Sequence, residues 1–294
     1  MDMRGRTVVV TGASNGLGLA CAVALARAGA ELVLAVRDEG RGAAALARVL
    51  EQAPGAGART VELDLADLGS VRRCADGLRA SVPSLDVLMN NAGVMMPPSR
   101  RSTVDGFELQ LGTNHLGHFA LTLQLLPMLL ATPGSRVVTV SSLAARGGSI
   151  DLDDLQAERS YTPSSRYAAS KLANLLFTLE LQRRLVGAQA GTVAVAAHPG
   201  LSATNLVSTM EVGRVIERLT ALASQSAEAG ARPQLHAATA DGVRGGDYYG
   251  PKGLGEVRGR RVAHARFPPA ALDTATAAAL WTRSEALTGI TSPL

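Results

Sequence analysis

The chain has 294 residues, a formal charge of +4, 47% apolar residues and only 3% aromatics. Its arginines are scattered with no dense basic block, so nucleic acid is not an expected partner. The two cysteines, Cys21 and Cys74, sit in segments with helical patterns and have no CxxC or metal-ligand spacing, which speaks for buried thiols in a reducing cytoplasm and against a disulfide or metal scaffold.

Residues 1–6 run directly into the apolar stretch 7–10, so no secretion signal is expected. From there short β-branched or Leu-rich runs alternate with longer helical patterns. Strands are expected near 7–10, 31–36, 59–63, 85–90, 136–141 and 192–198, with a weaker one near 247–249. Between them helices are expected near 16–28, 41–52, 68–80, 104–130 and 164–186, and a last helix near 270–287 follows a Gly-, Pro- and Arg-rich loop over 250–269. Strand before helix, repeated, is the pattern of right-handed βαβ units. It predicts a single doubly wound, Rossmann-type α/β domain over 1–294, with a parallel sheet of about seven strands and helices on both faces. Ligands on such a sheet bind beyond the carboxyl ends of the strands. The polar segment 204–240 has no strand of its own and is expected to form a substrate lid, with a C-terminal extension over 250–294. The most hydrophobic stretch, 118–131, is shorter than the ~20 residues of a membrane span and contains Pro127, so no membrane partner is expected and the protein is read as cytoplasmic.

Between the first strand and first helix lies Thr11-Gly12-Ala13-Ser14-Asn15-Gly16-Leu17-Gly18. Glycines in that position allow a tight turn, bring backbone close to a pyrophosphate and aim helix N-terminal N–H groups at it. The spacing is GxxxGxG rather than the commoner GxGxxG. At the end of the second strand, where NAD-binding sites place an acidic residue for the ribose 2′-OH, the sequence has Val36 and then Arg37, whose guanidinium suits a 2′-phosphate. Two readings stand beside this one: Arg37 as a surface arginine, and Asp38 contacting the ribose. Arg41 is either an assistant or a solvated helix residue.

The glycine motif in this setting resembles the short-chain dehydrogenase/reductase family. The resemblance extends over about 7–206, with six or more motifs in order, and implies further roles. Asp64 and Leu65 would hold the adenine, Asp64 reading otherwise as a helix N-cap. Asn90-Asn91-Ala92-Gly93 matches the turn along the cofactor, and His198-Pro199-Gly200 with Thr204 matches the turn for the nicotinamide carboxamide. Asn114, Ser142, Tyr167 and Lys171 match the catalytic set. Tyr167 and Lys171 are four apart on a predicted helix and so share a face, where a lysine cation would lower the phenol pKa. Tyr248 and Lys252 have the same spacing, but Gly250-Pro251 between them forbids a helix. Ser141 and Ser142 alternate across a strand, so only one of them can meet the site, and the resemblance favours Ser142. His115 and His118 lack further ligands and read as packing or surface residues. The acidic run 151–154 reads as a solvated loop, so no metal is expected.

Within the family, Leu34-Ala35-Val36-Arg37-Asp38, the long 142–167 interval and Ser170-Lys171-Leu172-Ala173-Asn174 resemble the retinol dehydrogenase-like branch. That implies an NADP(H)-dependent interconversion of a lipophilic aldehyde or ketone with its alcohol, and a homo-oligomer, dimer or tetramer. The alternatives are an NADP(H) sensor without turnover and a reductase of a C=C or C=N bond in a natural product.

Overall fold

A computed structural model describes residues 1–201 and 225–294. The strands are β1 (Thr7–Thr11), β2 (Glu31–Val36), β3 (Ala58–Glu62), β4 (Val87–Asn90), β5 (Arg136–Val140), β6 (Val193–Ala197), β7 (Tyr248–Pro251) and β8 (Val262–His264). They form one sheet in the order β3-β2-β1-β4-β5-β6-β7-β8, parallel except for the antiparallel β8 at the edge. The chain order reverses between β1 and β4, and the crevice at that switch point is where a doubly wound sheet binds ligand.

Alternation along each strand feeds two cores. On one face Val8 and Val10 meet α1 (Gly16–Arg27) and α2 (Glu39–Gln52). On the other Val9 and Leu88 meet α3 (Leu68–Ser81), the long helix that ends at Ala131, and α6 (Pro163–Gly187). Cys21 and Cys74 are free and buried on opposite faces, in the role of small apolar residues.

The helix expected from 104 begins later. Gly106 has a left-handed φ of 87°, and Glu108, not Val104, caps the helix by accepting from the N–H groups of Gln110 and Leu111. A short turn α4 (Leu109–Leu111) passes into a π turn over Gly112–Leu116 and then into α5 (Gly117–Ala131). π turns recur at functional sites because they displace a side chain from its α-helical position. Here the displaced stretch contains Asn114.

Of the lid expected over 204–240, residues 204–224 lie outside the described ones. The remainder belongs to the core. Residues Ala227–Thr239 form α7, whose Gly230, Ala231, Ala237 and Ala238 are buried against α1 and the sheet. Apart from Leu235 and Pro233, the buried apolar stripe is made of alanine and glycine, so it carries little of the periodic large-apolar signal that marks a core helix. The loop expected over 250–269 contains β8, which pairs Pro251 with Val262 and Tyr249 with His264.

The final helix, α8 (Thr274–Thr288), lies along α6. Trp281 stacks on Phe177 with centroids 5.8 Å apart, meets Phe119 edge-on at 5.0 Å and lies under the Arg184 guanidinium at 4.3 Å. Ser284 bonds His115 Nε2 at 2.9 Å, so the C-terminal helix buttresses the π turn. Among the described residues, no helix is long and apolar enough to cross a membrane.

Candidate active site

The β1–α1 turn has the features an anion cradle needs. Gly12 and Gly16 adopt left-handed φ values of 66° and 51°. Asn15 takes the N-cap position without a side-chain cap bond, which leaves the first N–H groups of α1 free of an intramolecular cap, beside Ser14 and Leu17. Gly18 is closed against the turn itself: a Cβ there would run into the Gly12 carbonyl oxygen and lie 2.7 Å from Asn91 Nδ2. Gly18→Ala is therefore expected to cost ~1–3 kcal/mol of stability by overpacking. Urea titration of the variant checks this, and an unchanged midpoint would contradict the close packing.

Arg37 follows β2 directly and is exposed, with no hydrogen bond or ion pair among the described residues. Asp38, the competitor for the ribose, is committed elsewhere: it caps α2, its Oδ1 accepting from Arg41 N at 2.7 Å. Asp64 is not a helix N-cap. Asp67 caps α3 by accepting from Gly69 N, while Asp64 Oδ1 accepts from Ala66 N at 2.9 Å and shapes the turn that buries Leu65.

The NNAG turn is tied to β1 through a single hydroxyl. Thr11 Oγ1 accepts from the N–H groups of both Asn91 and Ala92 at 2.9 Å, and Asn91 Nδ2 donates to Thr11 O at 2.8 Å. The Thr11 hydroxyl also lies 2.9 Å from His118 Nε2, and His118 Nδ1 lies 3.0 Å from the Asn114 carbonyl oxygen. A carbonyl only accepts, so Nδ1 carries the proton and Nε2 accepts from Thr11. Thr11 and His118 thus join the cofactor turn to the π turn. A threonine closing a strand and a histidine within a helix offered no periodic or motif signal for this link.

Asn114 is fully buried and reaches back to the loop after β4. Its Oδ1 accepts from Val94 N at 2.7 Å, and its Nδ2 donates to Val94 O at 3.0 Å and Ser170 Oγ at 2.9 Å. Gly93 is packed between the two polar side chains of this corner: a Cβ would stand 3.1 Å from Asn114 Oδ1 and 3.4 Å from Lys171 Nζ. Ser170, which the sequence offered only as part of the branch motif 170–174, links Asn114 to the Tyr167 carbonyl, to which it donates at 2.8 Å.

Tyr167, Lys171 and Asn174 line one face of α6 beneath the end of β5. Lys171 Nζ and Asn174 Nδ2 both donate to Val140 O at 3.1 Å. Strand alternation separates the two serines as expected. Ser141 turns inward, donating to Lys171 O at 2.8 Å, while Ser142 at the strand's end accepts from Ala144 N and faces the Tyr167 phenol.

The electrostatics differ from the sequence expectation in one respect. Tyr167 is only 7% exposed, and burial pushes its phenol above the ordinary value, with the Ser142 bond working in the opposite direction. The Lys171 ammonium, 6.0 Å from the ring centroid, does not reverse this. Burial acts on Lys171 too, bringing it down to about 8. Pro199 and Gly200, with φ 68°, turn the chain after β6. Thr204 lies outside the described residues. His115 and His118 are buried, and no group of three or more metal-ligating side chains occurs among the described residues.

The short chain dehydrogenase family model matches residues 6–214. The chain belongs to the short-chain dehydrogenase family. Human retinol dehydrogenase 14 is 41% identical, with 98% of this chain and 88% of that protein covered. Human retinol dehydrogenase 12 is 42% identical over 83% of this chain and 76% of its own length. Among solved structures, an uncharacterized protein from Mycobacterium paratuberculosis superposes with a TM-score of 0.83 at 45% identity, covering 100% of this chain and 97% of that one. The protein is thus an oxidoreductase of this family and of its retinol dehydrogenase-like branch, and the β1–α1 cradle fits a nicotinamide dinucleotide.

Proposed function

We propose that this short-chain dehydrogenase is an NADP(H)-dependent enzyme that interconverts a lipophilic aldehyde or ketone with its alcohol. The observation that carries the reading is the corner at the end of β5 where Ser142 faces the buried Tyr167, with Lys171, bonded to Val140 O, one helical turn further along α6. Held by the β1–α1 turn, a nicotinamide dinucleotide would supply the hydride-transfer chemistry. Ser142 holds the reacting oxygen, and Tyr167 gives a proton to it at the phenolic oxygen or takes one back. A phenol kept protonated by burial is in the donor state that reduction needs. Lys171 and Asn114 would fix the floor of the site through Val140, Val94 and Ser170. Asn91, Ala92 and Gly93 would lie along the dinucleotide, with Asp64 and Leu65 at its adenine end. Pro199 and Gly200, with Thr204, would hold the carboxamide.

NADP(H) over NAD(H) is supported by the free Arg37 guanidinium and by the engagement of Asp38 in helix capping. Lipophilic substrates are supported by the names of the relatives, since retinol is an apolar alcohol.

Titration of the protein with NADPH and NADH, followed by a carbonyl panel read at the absorbance of the reduced cofactor, tests the reading. Binding with turnover supports it; binding without turnover supports a sensor instead; a panel active only on C=C or C=N bonds moves it to the third alternative. Arg37→Ala is expected to weaken NADPH about tenfold or more, the worth of a charge-assisted phosphate contact, with little change for NADH. Equal effects on both cofactors would remove the 2′-phosphate assignment.

A further inference from the structure

The loop after β7 folds back onto the active-site end of the sheet, and one carboxylate fastens it there. Glu256 Oε2 accepts from His198 Nε2 at 2.9 Å and from the Arg146 guanidinium at 2.7 Å, while Oε1 accepts from Arg266 N at 3.1 Å. The His198 side chain is completely buried, and its Nδ1 accepts from Gly200 N at 3.1 Å. A ring nitrogen that accepts from a backbone N–H carries no proton, so the histidine proton is on Nε2 and points at Glu256. One turn of chain later, Val257 O accepts from Leu201 N at 2.7 Å. Arg146, which also donates to Gly255 O at 3.2 Å, belongs to the turn Leu143–Gly147 that follows Ser142.

The backbone of Glu256 is left-handed, with φ 60°, next to Gly255 with the same φ. Glycine would be the least strained residue at both positions, yet the second is a glutamate. Strain of this kind persists where the surroundings over-determine the conformation, and here the surroundings are the groups that bond the carboxylate.

We propose that Glu256 is a positioning residue for the nicotinamide half of the cofactor. Through His198 it sets the turn 198–201, and through Arg146 it fixes that turn against the loop carrying Ser142, so the nicotinamide and the oxygen-binding serine are held in register. This rests on the reading of the 198–201 turn as the nicotinamide site.

Glu256→Gln keeps the shape but removes one acceptor. The amide NH2 must face either Arg266 N–H or the His198–Arg146 side, and a histidine that moves its proton to Nδ1 leaves Gly200 N–H without an acceptor. The experiment compares wild type and variant for affinity toward NADPH and toward adenosine 2′,5′-bisphosphate, which lacks the nicotinamide, together with kcat. Loss of a charge-assisted bond predicts NADPH affinity and kcat each lower by about tenfold, with adenosine 2′,5′-bisphosphate affinity unchanged. Equal weakening of both ligands, or no change in either, overturns the proposal. Glu256→Gly, which relieves the backbone, guards against a folding defect: it must reproduce the selective loss, and wild-type behaviour would mean the carboxylate has no role. If wild type binds NADH instead, the same comparison runs with NADH and 5′-AMP. A wild type that binds neither dinucleotide removes the parent reading and this inference together, whereas tight wild-type binding with an indifferent Glu256→Gln removes this inference alone.

Discussion

Tyr167→Phe is expected to lower kcat for carbonyl reduction by on the order of 10²–10⁴-fold, the usual worth of a positioned proton donor, while NADPH affinity stays nearly unchanged. The phenolic hydroxyl is the group on α6 that faces Ser142, and phenylalanine removes it while keeping the buried ring. The neighbouring groups cannot substitute. The Ser142 hydroxyl is a far weaker acid, Ser141 faces the other way onto Lys171 O, and Lys171 Nζ is directed at Val140 O. Single-turnover kinetics separate chemistry from binding and release. A variant with wild-type turnover would take Tyr167 out of the reaction, and a protein whose biological output survives the change would be acting as a sensor.

Acidification from pH 6.5 toward 4 should destabilise the fold, with His118 alone contributing on the order of 3 kcal/mol. His115 and His118 are enclosed by the core, and burial drives their pKa values down to about 3 and about 4. Both values are depressed, so between the unfolded and folded pKa the unfolded chain binds more protons. The stability these groups provide is complete above about 6.5 and is lost as pH falls through the folded values. The hydrogen-bond chain gives the same direction. Protonation of His118 Nε2 would set a donor against the Thr11 hydroxyl, which already accepts from Asn91 and Ala92 and would have to turn toward Met89 O at 3.3 Å. Urea unfolding at a series of pH values measures the slope. His118→Gln, which cannot be protonated, should flatten it. Parallel slopes in wild type and variant would mean that the ring is not held neutral. His198, also held low by burial, adds in the same direction.

The legible part of the fold was the part written in short-range periodicity. The bounds of β2 coincide with the apolar run 31–36, and α1, α3 and α6 fall within a residue or two of their patterns, because each buries a stripe long enough to be read without knowing its partner. Three elements resisted for different reasons. The stripe of α7 is mostly Ala and Gly, with Leu235 as its one large core side chain, so its burial follows from packing on α1 more than from a run of large apolar residues. β8 has three residues and is a strand only because β7 offers a free edge. The helix after Gly106 starts where Glu108 caps it, a choice made by two hydrogen bonds and not by the apolar pattern, which begins earlier.

The site divides in the same way. The motifs of the candidate site were legible in the sequence: a glycine turn after the first strand, a tyrosine and a lysine one helical turn apart, two adjacent serines at a strand's end, and an arginine where an NAD site would place an acid. These features survive because spacing along a helix or strand converts directly into a shared or opposed face. The folded structure decided that Asp38 is occupied by a helix cap and, by packing distant segments together, that Thr11 with His118 couples the Asn90–Gly93 turn to the π turn bearing Asn114. It also reversed the direction expected for Tyr167, since desolvation depends on everything packed around the phenol and the Lys171 ammonium stands 6.0 Å from the centre of its ring. Glu256, 58 residues from His198 along the chain, became part of the site for the same reason: a hydrogen bond of 2.9 Å between distant segments is a property of their packing and leaves no local mark in the sequence.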